Sequence, residues 1–497
     1  MMDGIGDAEK APQSFPKLPF SLPLEEYFKL QAEDQSIQGP ALLENILAGK
    51  NRRNVNLSNL GMTDSHEFQE NLYDTRLSHD IPQQYLQIVK TKWAPDSDQH
   101  KLITKQLDNI NKLKQLYPHF HLKPSSHKFE NDYRCMPTNL QLTTFSINQK
   151  LFDTVTFGVA SDLCDLNFEM GGLTKMRENN LENTDYFRMR QHICMSQILP
   201  AVCLGISAKL ERNFEDGTFW KFIENNGILL HFESLISTRK GSDERIMLSD
   251  YAITVLEELS DVSVNVRMGN GLISSVDITE ENGKIFLNFT LKSKTEMVKS
   301  GIKVVPTLFS TGLNVNAERA FESGENDLQI ETNFRSFNIL KTYVASSNAN
   351  SSNANPSKSL FSTEIDKLSS ICDKAFQKTI SKDPRIHKLS QYITRELFGV
   401  RFVQCKSAKD RTGQGVCLEQ VRLLQRFEGL KPECFTEVLN RLQRDGLGLL
   451  RCYKNTAVAF YNFNETQVEV MPVDYRPPVG TFQKHLRSLL KQQDSVQ

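Results

Sequence analysis

Cys405 and Arg411 stand six positions apart in the run Cys405-Lys406-Ser407-Ala408-Lys409-Asp410-Arg411-Thr412. A thiol and a guanidinium at that spacing can perform phosphoryl transfer if a tight loop folds them around one anion. Successive N–H groups of such a loop converge on the anion, and a helix that follows adds its positive end. That field favours the thiolate, the nucleophilic form of sulfur. The guanidinium grips two phosphate oxygens and holds charge in the transition state. Thr412 is placed to hydrogen-bond the sulfur and ease its departure. The implied course is attack by Cys405, a cysteinyl-phosphate, and hydrolysis by water. Lys406 and Lys409 add two positive charges beside the reacting phosphate, which suits an inositol phosphate or phosphoinositide headgroup better than phosphotyrosine.

The spacing alone decides little, because nine cysteines at ordinary arginine usage make one accidental match unsurprising. None of the other eight cysteines has arginine six residues on. The flanking elements carry the weight. Gly399 to Gln404 reads as a short buried strand, and Arg411 to Phe427 as a helix with Val416, Leu418, Val421, Leu423 and Leu424 on its apolar side. The plainer alternative is a small buried cysteine followed by a solvated basic turn. A leaving inositol oxygen needs a proton donor. Asp410 is either that acid or a brace for the loop, with Glu318 and Asp474 as remote alternatives. Arg476, in Arg-Pro-Pro, is either a substrate contact or part of a packed tail turn.

The rest of the chain must position this loop. It has 497 residues, 39% hydrophobic and 24% charged, with mean hydropathy −0.42. Those values exclude an integral membrane protein, a collagen and a wholly disordered chain. Net charge is −1, and long Lys/Arg runs are absent, so nucleic acid is not an expected partner. The odd cysteine count, the lack of any Cys-x-x-Cys pair and an N-terminus without an apolar signal core point to a cytoplasmic protein with reduced thiols. His192 and His231 lack metal-ligand spacing.

The expected fold class is α/β: a sheet flanked by helices, with a mainly helical N-terminal region. Residues 1–23 read as a flexible entry and 24–240 as mainly helical, with helices over Ile103–Leu116 and Tyr186–Arg212. The phosphatase domain is expected at 241–497. It opens with a helix over Glu244–Leu259 behind the cap Ser242-Asp243-Glu244. Val262, Val264 and Val266 alternate as in a strand, and Asn282-Gly283 between two apolar runs is a hairpin signal. Val304 to Phe309 is a further apolar run. Residues 345–359 are a low-complexity insertion that interrupts this domain, since strands before it need partners after it.

The run CKSAKDRT, preceded by GVRFVQ and followed by Leu418-Glu419-Gln420, closely resembles the catalytic loop of the inositol polyphosphate 4-phosphatases. Tyr453-Lys454-Asn455, the run from Asp474 to Thr481, and Leu308 to Asn314 are similar to segments of the same family, so the likeness extends from about Gly301 to Phe482. It implies removal of the 4-phosphate from phosphatidylinositol 3,4-bisphosphate and related inositol phosphates, without a metal or other cofactor. Cys405 is then the nucleophile and Arg411 the phosphate clamp. Lys406, Ser407, Ala408, Lys409 and Thr412 then bind phosphate and headgroup. The two lysines also resemble those of tensin-type 3-phosphatases, and so speak to substrate class and not to position. Bacterial effector phosphoinositide phosphatases have a similar loop with glycine where Ala408 stands.

Two departures stand out. Gly413 and Gly415 replace the usual Ser or Ala, then Met, at about 1 kcal/mol each against alanine. No run of alternating strands in Leu24 to Pro137 matches the membrane-binding C2 domain of many family members. Peripheral membrane contact then rests on local basic residues, 15 Lys/Arg against 10 Asp/Glu from Arg401 onward. Two other readings stay open: a phosphoinositide or protein phosphatase of different specificity, and a phosphoinositide-binding adaptor without turnover.

Overall fold

The structure is a computed structural model and describes residues 47–57, 67–116, 135–147, 150–159, 172–240, 242–270, 272, 274–349, 361–377, 383–456 and 459–483. One sheet organises it. Its strands are β1 (Leu47–Asn56), β2 (Glu67–Thr75), β3 (Thr138–Ile147), β4 (Lys150–Gly158), β5 (Ile228–Ser234), β6 (Ser263–Gly269), β7 (Ser275–Glu281), β8 (Lys284–Lys292), β9 (Met297–Ser310) and β10 (Val400–Cys405). They lie in the order β1-β2-β3-β4-β10-β5-β9-β6-β8-β7. The four central strands β4, β10, β5 and β9 run parallel. Parallel strands are covered on both faces, and every residue of β5 and β10 is buried.

Alternation along β10 decides what each helix meets. Val400 and Phe402 face the helix Asp185–Asn213, where Gly205 lets the two elements approach: a Cβ there would lie 2.6 Å from Val400. That helix is long and apolar enough to cross a membrane by length and composition, yet 94% of its apolar window is buried inside the protein. It is apolar all round because the sheet covers one side and the helices Leu77–Lys90 and Asp243–Leu256 cover others. Arg401, Val403 and Cys405 point to the opposite face. There they meet the helices Arg385–Glu396 and Asp410–Phe427.

Several expected elements are present with shifted ends. Ser242 caps the helix Asp243–Leu256 by accepting from the Arg245 N–H. Asn282 and Gly283 turn the β7–β8 hairpin with φ of 53° and 81°. Val264 and Val266 face the core from β6. The division at residue 240 needs correction. Strands β1 to β5 precede it, and β10 inserts between β4 and β5, so both parts of the chain build one sheet. In β3 the alternation of Leu140 and Leu142 with Gln141 and Thr143 slips phase at Thr143-Thr144 before Phe145 and Ile147, and buried Thr138, Gln141, Thr143 and Thr144 blur it further. Residues 1–23 lie outside the described residues, as do 350–359 of the low-complexity insertion. Residues 345–349 extend the helix Asp327–Ala349.

Candidate active site

Cys405 ends β10 at 1% exposure, paired in register with Gly158 at the end of β4. The chain then turns sharply. A Cβ on Gly158 would lie 2.9 Å from the Lys406 carbonyl oxygen and the Ser407 carbonyl carbon, so the loop folds over a place only glycine leaves open. Ala408 adopts φ 52°, the left-handed region, which costs a non-glycine residue about 1–2 kcal/mol. Asn139, itself at φ 50°, holds the turn by donating from Nδ2 to the Ser407 carbonyl at 2.6 Å. No side chain caps the helix Asp410–Phe427 at Lys409, so its first N–H groups stay available to an anion.

Arg411 points inward. Its guanidinium donates to the Leu235 carbonyl at 2.7 Å and to both carboxylate oxygens of Glu244, at 2.5 and 3.1 Å. Burial alone would raise the Glu244 carboxyl. The charge and hydrogen bonds of Arg411, with the N–H and hydroxyl of Ser237, instead bring it down to about 2. Burial likewise opposes charge on Arg411, and Glu244, then Cys405, raise its pKa above the usual arginine value. The guanidinium is thus a fixed cation within electrostatic reach of the sulfur.

One residue earlier in the same helix start, Asp243 pairs with the Lys406 ammonium. Two adjacent acids at one helix N-terminus therefore occupy two cations of the loop. Lys409 is buried, 3.7 Å from the Asp410 carboxylate. Asp410 accepts from the Asn462 N–H at 2.9 Å and the Cys452 thiol at 3.5 Å, contacts that tie the loop to the strand β11 (Tyr461–Asn464) and to the helix Leu447–Thr456. Thr412 is buried, and its hydroxyl has no hydrogen-bond partner among the described residues. The expected bond to the Cys405 sulfur is absent there. The hydroxyl is an unspent donor beside the loop. Ser407 is buried with its carbonyl turned to Asn139.

The structure brings Cys405, Lys406, Ser407, Ala408, Lys409, Asp410, Arg411 and Thr412 into one turn. It sets Asp474 apart, 3.8 Å from Arg422, and fixes Arg476 on the carbonyls of Met471 and Glu469 as a packed tail turn. A Cβ on Gly413 or Gly415 would meet neighbours at 3.4 Å or more, so neither position sterically demands glycine. Four contributors escaped sequence reading: Glu244, Asp243, Asn139 and Gly158. The Ser242-Asp243-Glu244 run was visible, but only as a helix cap with an acidic first turn, a pattern that the grip on Arg411 and Lys406 shares.

A central parallel sheet ends at Cys405, and the next helix starts with Arg411, so the Cys-x5-Arg spacing lies in one strand–loop–helix turn. The chain belongs to the family described as INPP4A C-terminal domain, whose model matches residues 180–475. That match begins well upstream of Gly301 and takes in the helix Asp185–Asn213 and β5. Among curated relatives, the chain is 29% identical over 306 residues to human inositol polyphosphate 4-phosphatase type II, covering 60% of this chain and 32% of that protein. The type II inositol 3,4-bisphosphate 4-phosphatase of Pongo abelii gives the same figures. The matched part thus spans about a third of the length of these relatives. A solved structure described as "Structural basis for substrate recognition by a novel Legionella phosphoinositide phosphatase" is 10% identical with TM-score 0.37, over 83% of this chain and 72% of that one.

Proposed function

We propose that this chain is a phosphoric monoester hydrolase that removes the 4-phosphate from phosphatidylinositol 3,4-bisphosphate and related inositol phosphates. The observation that carries the reading is Arg411, held by Glu244 and the Leu235 carbonyl as a fixed charge whose field couples to Cys405 in the same loop. The names of the curated relatives support the substrate class and the 4-position.

The chemistry runs in two displacements. The Cys405 sulfur attacks phosphorus, the bond to the inositol oxygen breaks, and that oxygen takes up a proton. Water then attacks the cysteinyl-phosphate, the S–P bond breaks, and inorganic phosphate leaves. Arg411 and the uncapped helix N–H groups carry the charge that gathers on the equatorial oxygens. The Thr412 hydroxyl gains its partner when sulfur or phosphate occupies the loop. Asp410 acts in this scheme as a positioning residue through Asn462 and Cys452. Lys406 exchanges Asp243 for a second substrate phosphate. The eight cysteines among the described residues are free, in keeping with the cytoplasmic setting proposed, and peripheral access to membranes is part of the same proposal.

The test is phosphate release from each phosphoinositide isomer and from a phosphotyrosine peptide, beside a Cys405→Ser control. Release from the 3,4-bisphosphate alone, absent in the control, is the expected result. Release from the peptide alone makes the chain a protein phosphatase, and headgroup binding without release makes it an adaptor.

A further inference from the structure

Away from the catalytic loop, positive charge gathers between two helices that the mechanism does not use. Ser362–Phe376 and Arg385–Glu396 pack side by side and leave a hollow of about 460 Å³. Lys367 and Lys374 rim it from the first helix, seven residues apart and therefore on one face. Arg385 and Lys388 rim it from the second. Glu364 is the sole carboxylate of the lining, and Ile371 forms part of an apolar floor. All four cations stand at exposed positions.

Two details separate this rim from an ordinary solvated face. Arg385 is held in place by a two-pronged pair with Asp383, at 2.8 Å from Nε and 2.5 Å from a terminal nitrogen, which offsets part of its charge and leaves the lysines as the main cations of the rim. Lys388 also borders a second hollow of about 300 Å³, shared with Arg422 and Arg426 of the helix Asp410–Phe427. Partial burial, then Arg422, then Lys367 push the Lys388 ammonium below its ordinary pKa, with Asp474 opposing. A bound anion would relieve that repulsion. Among ligands, phosphate esters match a rim of ammonium and guanidinium donors over an apolar floor. The volume falls in the range of small-molecule sites.

We propose that this hollow is a second phosphate-binding site, taking the phosphorylated inositol headgroup of a lipid or its free soluble counterpart. It shares no residue with the Cys405 loop and does not depend on turnover.

The experiment uses the full chain carrying Cys405→Ser, so that nothing is hydrolysed. Soluble inositol hexakisphosphate is titrated by calorimetry. In parallel, the chain is sedimented with phosphatidylcholine vesicles carrying phosphatidylinositol 4,5-bisphosphate. The variant pair is Lys367→Glu with Lys388→Glu. The control pair, Lys284→Glu with Lys292→Glu, makes the same charge change on the distant β7–β8 hairpin. The expected result is a second binding event that weakens at least about tenfold in the first pair and not in the control. Loss in the soluble arm assigns the free headgroup, and loss confined to vesicles assigns the lipid. Binding unchanged by the first pair in both arms, or equal loss in the control pair, overturns the site. Because binding alone is read, failure of the proposed hydrolysis would leave this result standing.

Discussion

Two buried arginines on the same side of the sheet are both held by glutamates, yet they sit in opposite kinds of surroundings. Arg401 lies mid-strand in β10 between Glu233 and Glu419, at 2.6 Å from each, and donates a further bond to the Gly415 carbonyl. Arg395 and Gln391 close the carboxylates from the other side. Arg411 has one carboxylate, Glu244, and one carbonyl, and next to it Thr412 has an unspent hydroxyl. The contrast shows that buried charge alone does not mark a site. In the Arg401 network the opposing charges are matched inside the protein. Around Arg411 the loop cations are paired as well, Lys406 with Asp243, Lys409 with Asp410 and Arg411 with Glu244, but the uncapped helix start and the Thr412 hydroxyl keep donors that no described residue uses.

Substitutions at the two arginines separate the roles. Arg411→Lys keeps the charge but loses the two-pronged grip, and kcat should fall about a thousandfold while the melting temperature moves little. A kcat within tenfold of the parent would place the phosphate elsewhere. Arg401→Met leaves Glu233 and Glu419 buried without their shared cation, and should cost about 3–5 kcal/mol of stability. Activity per folded molecule should stay near the parent level, as measured by denaturant melts and by active-site titration. Loss of turnover without loss of stability would make the network part of the site.

Asn139→Ala tests the smaller contribution of the loop brace. It removes the 2.6 Å bond to the Ser407 carbonyl and should lower kcat about tenfold with KM nearly constant. A change in KM alone would mean that Asn139 touches substrate.

How much of this was legible beforehand depends on the range of the interaction. The Cys405-to-Thr412 turn is local in sequence, so its spacing, strand and helix could be read from one stretch. The β7–β8 hairpin was legible for the same reason, through Asn282-Gly283. Glu244 and Asn139 act on the loop across 167 and 268 positions of chain. Nothing local distinguishes Glu244 from a helix-cap acid, or Asn139 from any asparagine at a strand start. β3 hid for a related reason. Its apolar alternation runs through Leu140 and Leu142, then slips by one residue to Phe145 and Ile147, and its buried threonines and Gln141 are covered because the strand lies between β2 and β4 inside the sheet.

The cysteinyl-phosphate is the centre of the account, and rapid acid quench of the full chain during turnover of phosphatidylinositol 3,4-bisphosphate tests it most directly. Mass spectrometry of the digest should find one added phosphate on the peptide bearing Cys405, and none in a Cys405→Ser chain that also releases no phosphate. Continued phosphate release by Cys405→Ser, or label on another residue, would contradict it.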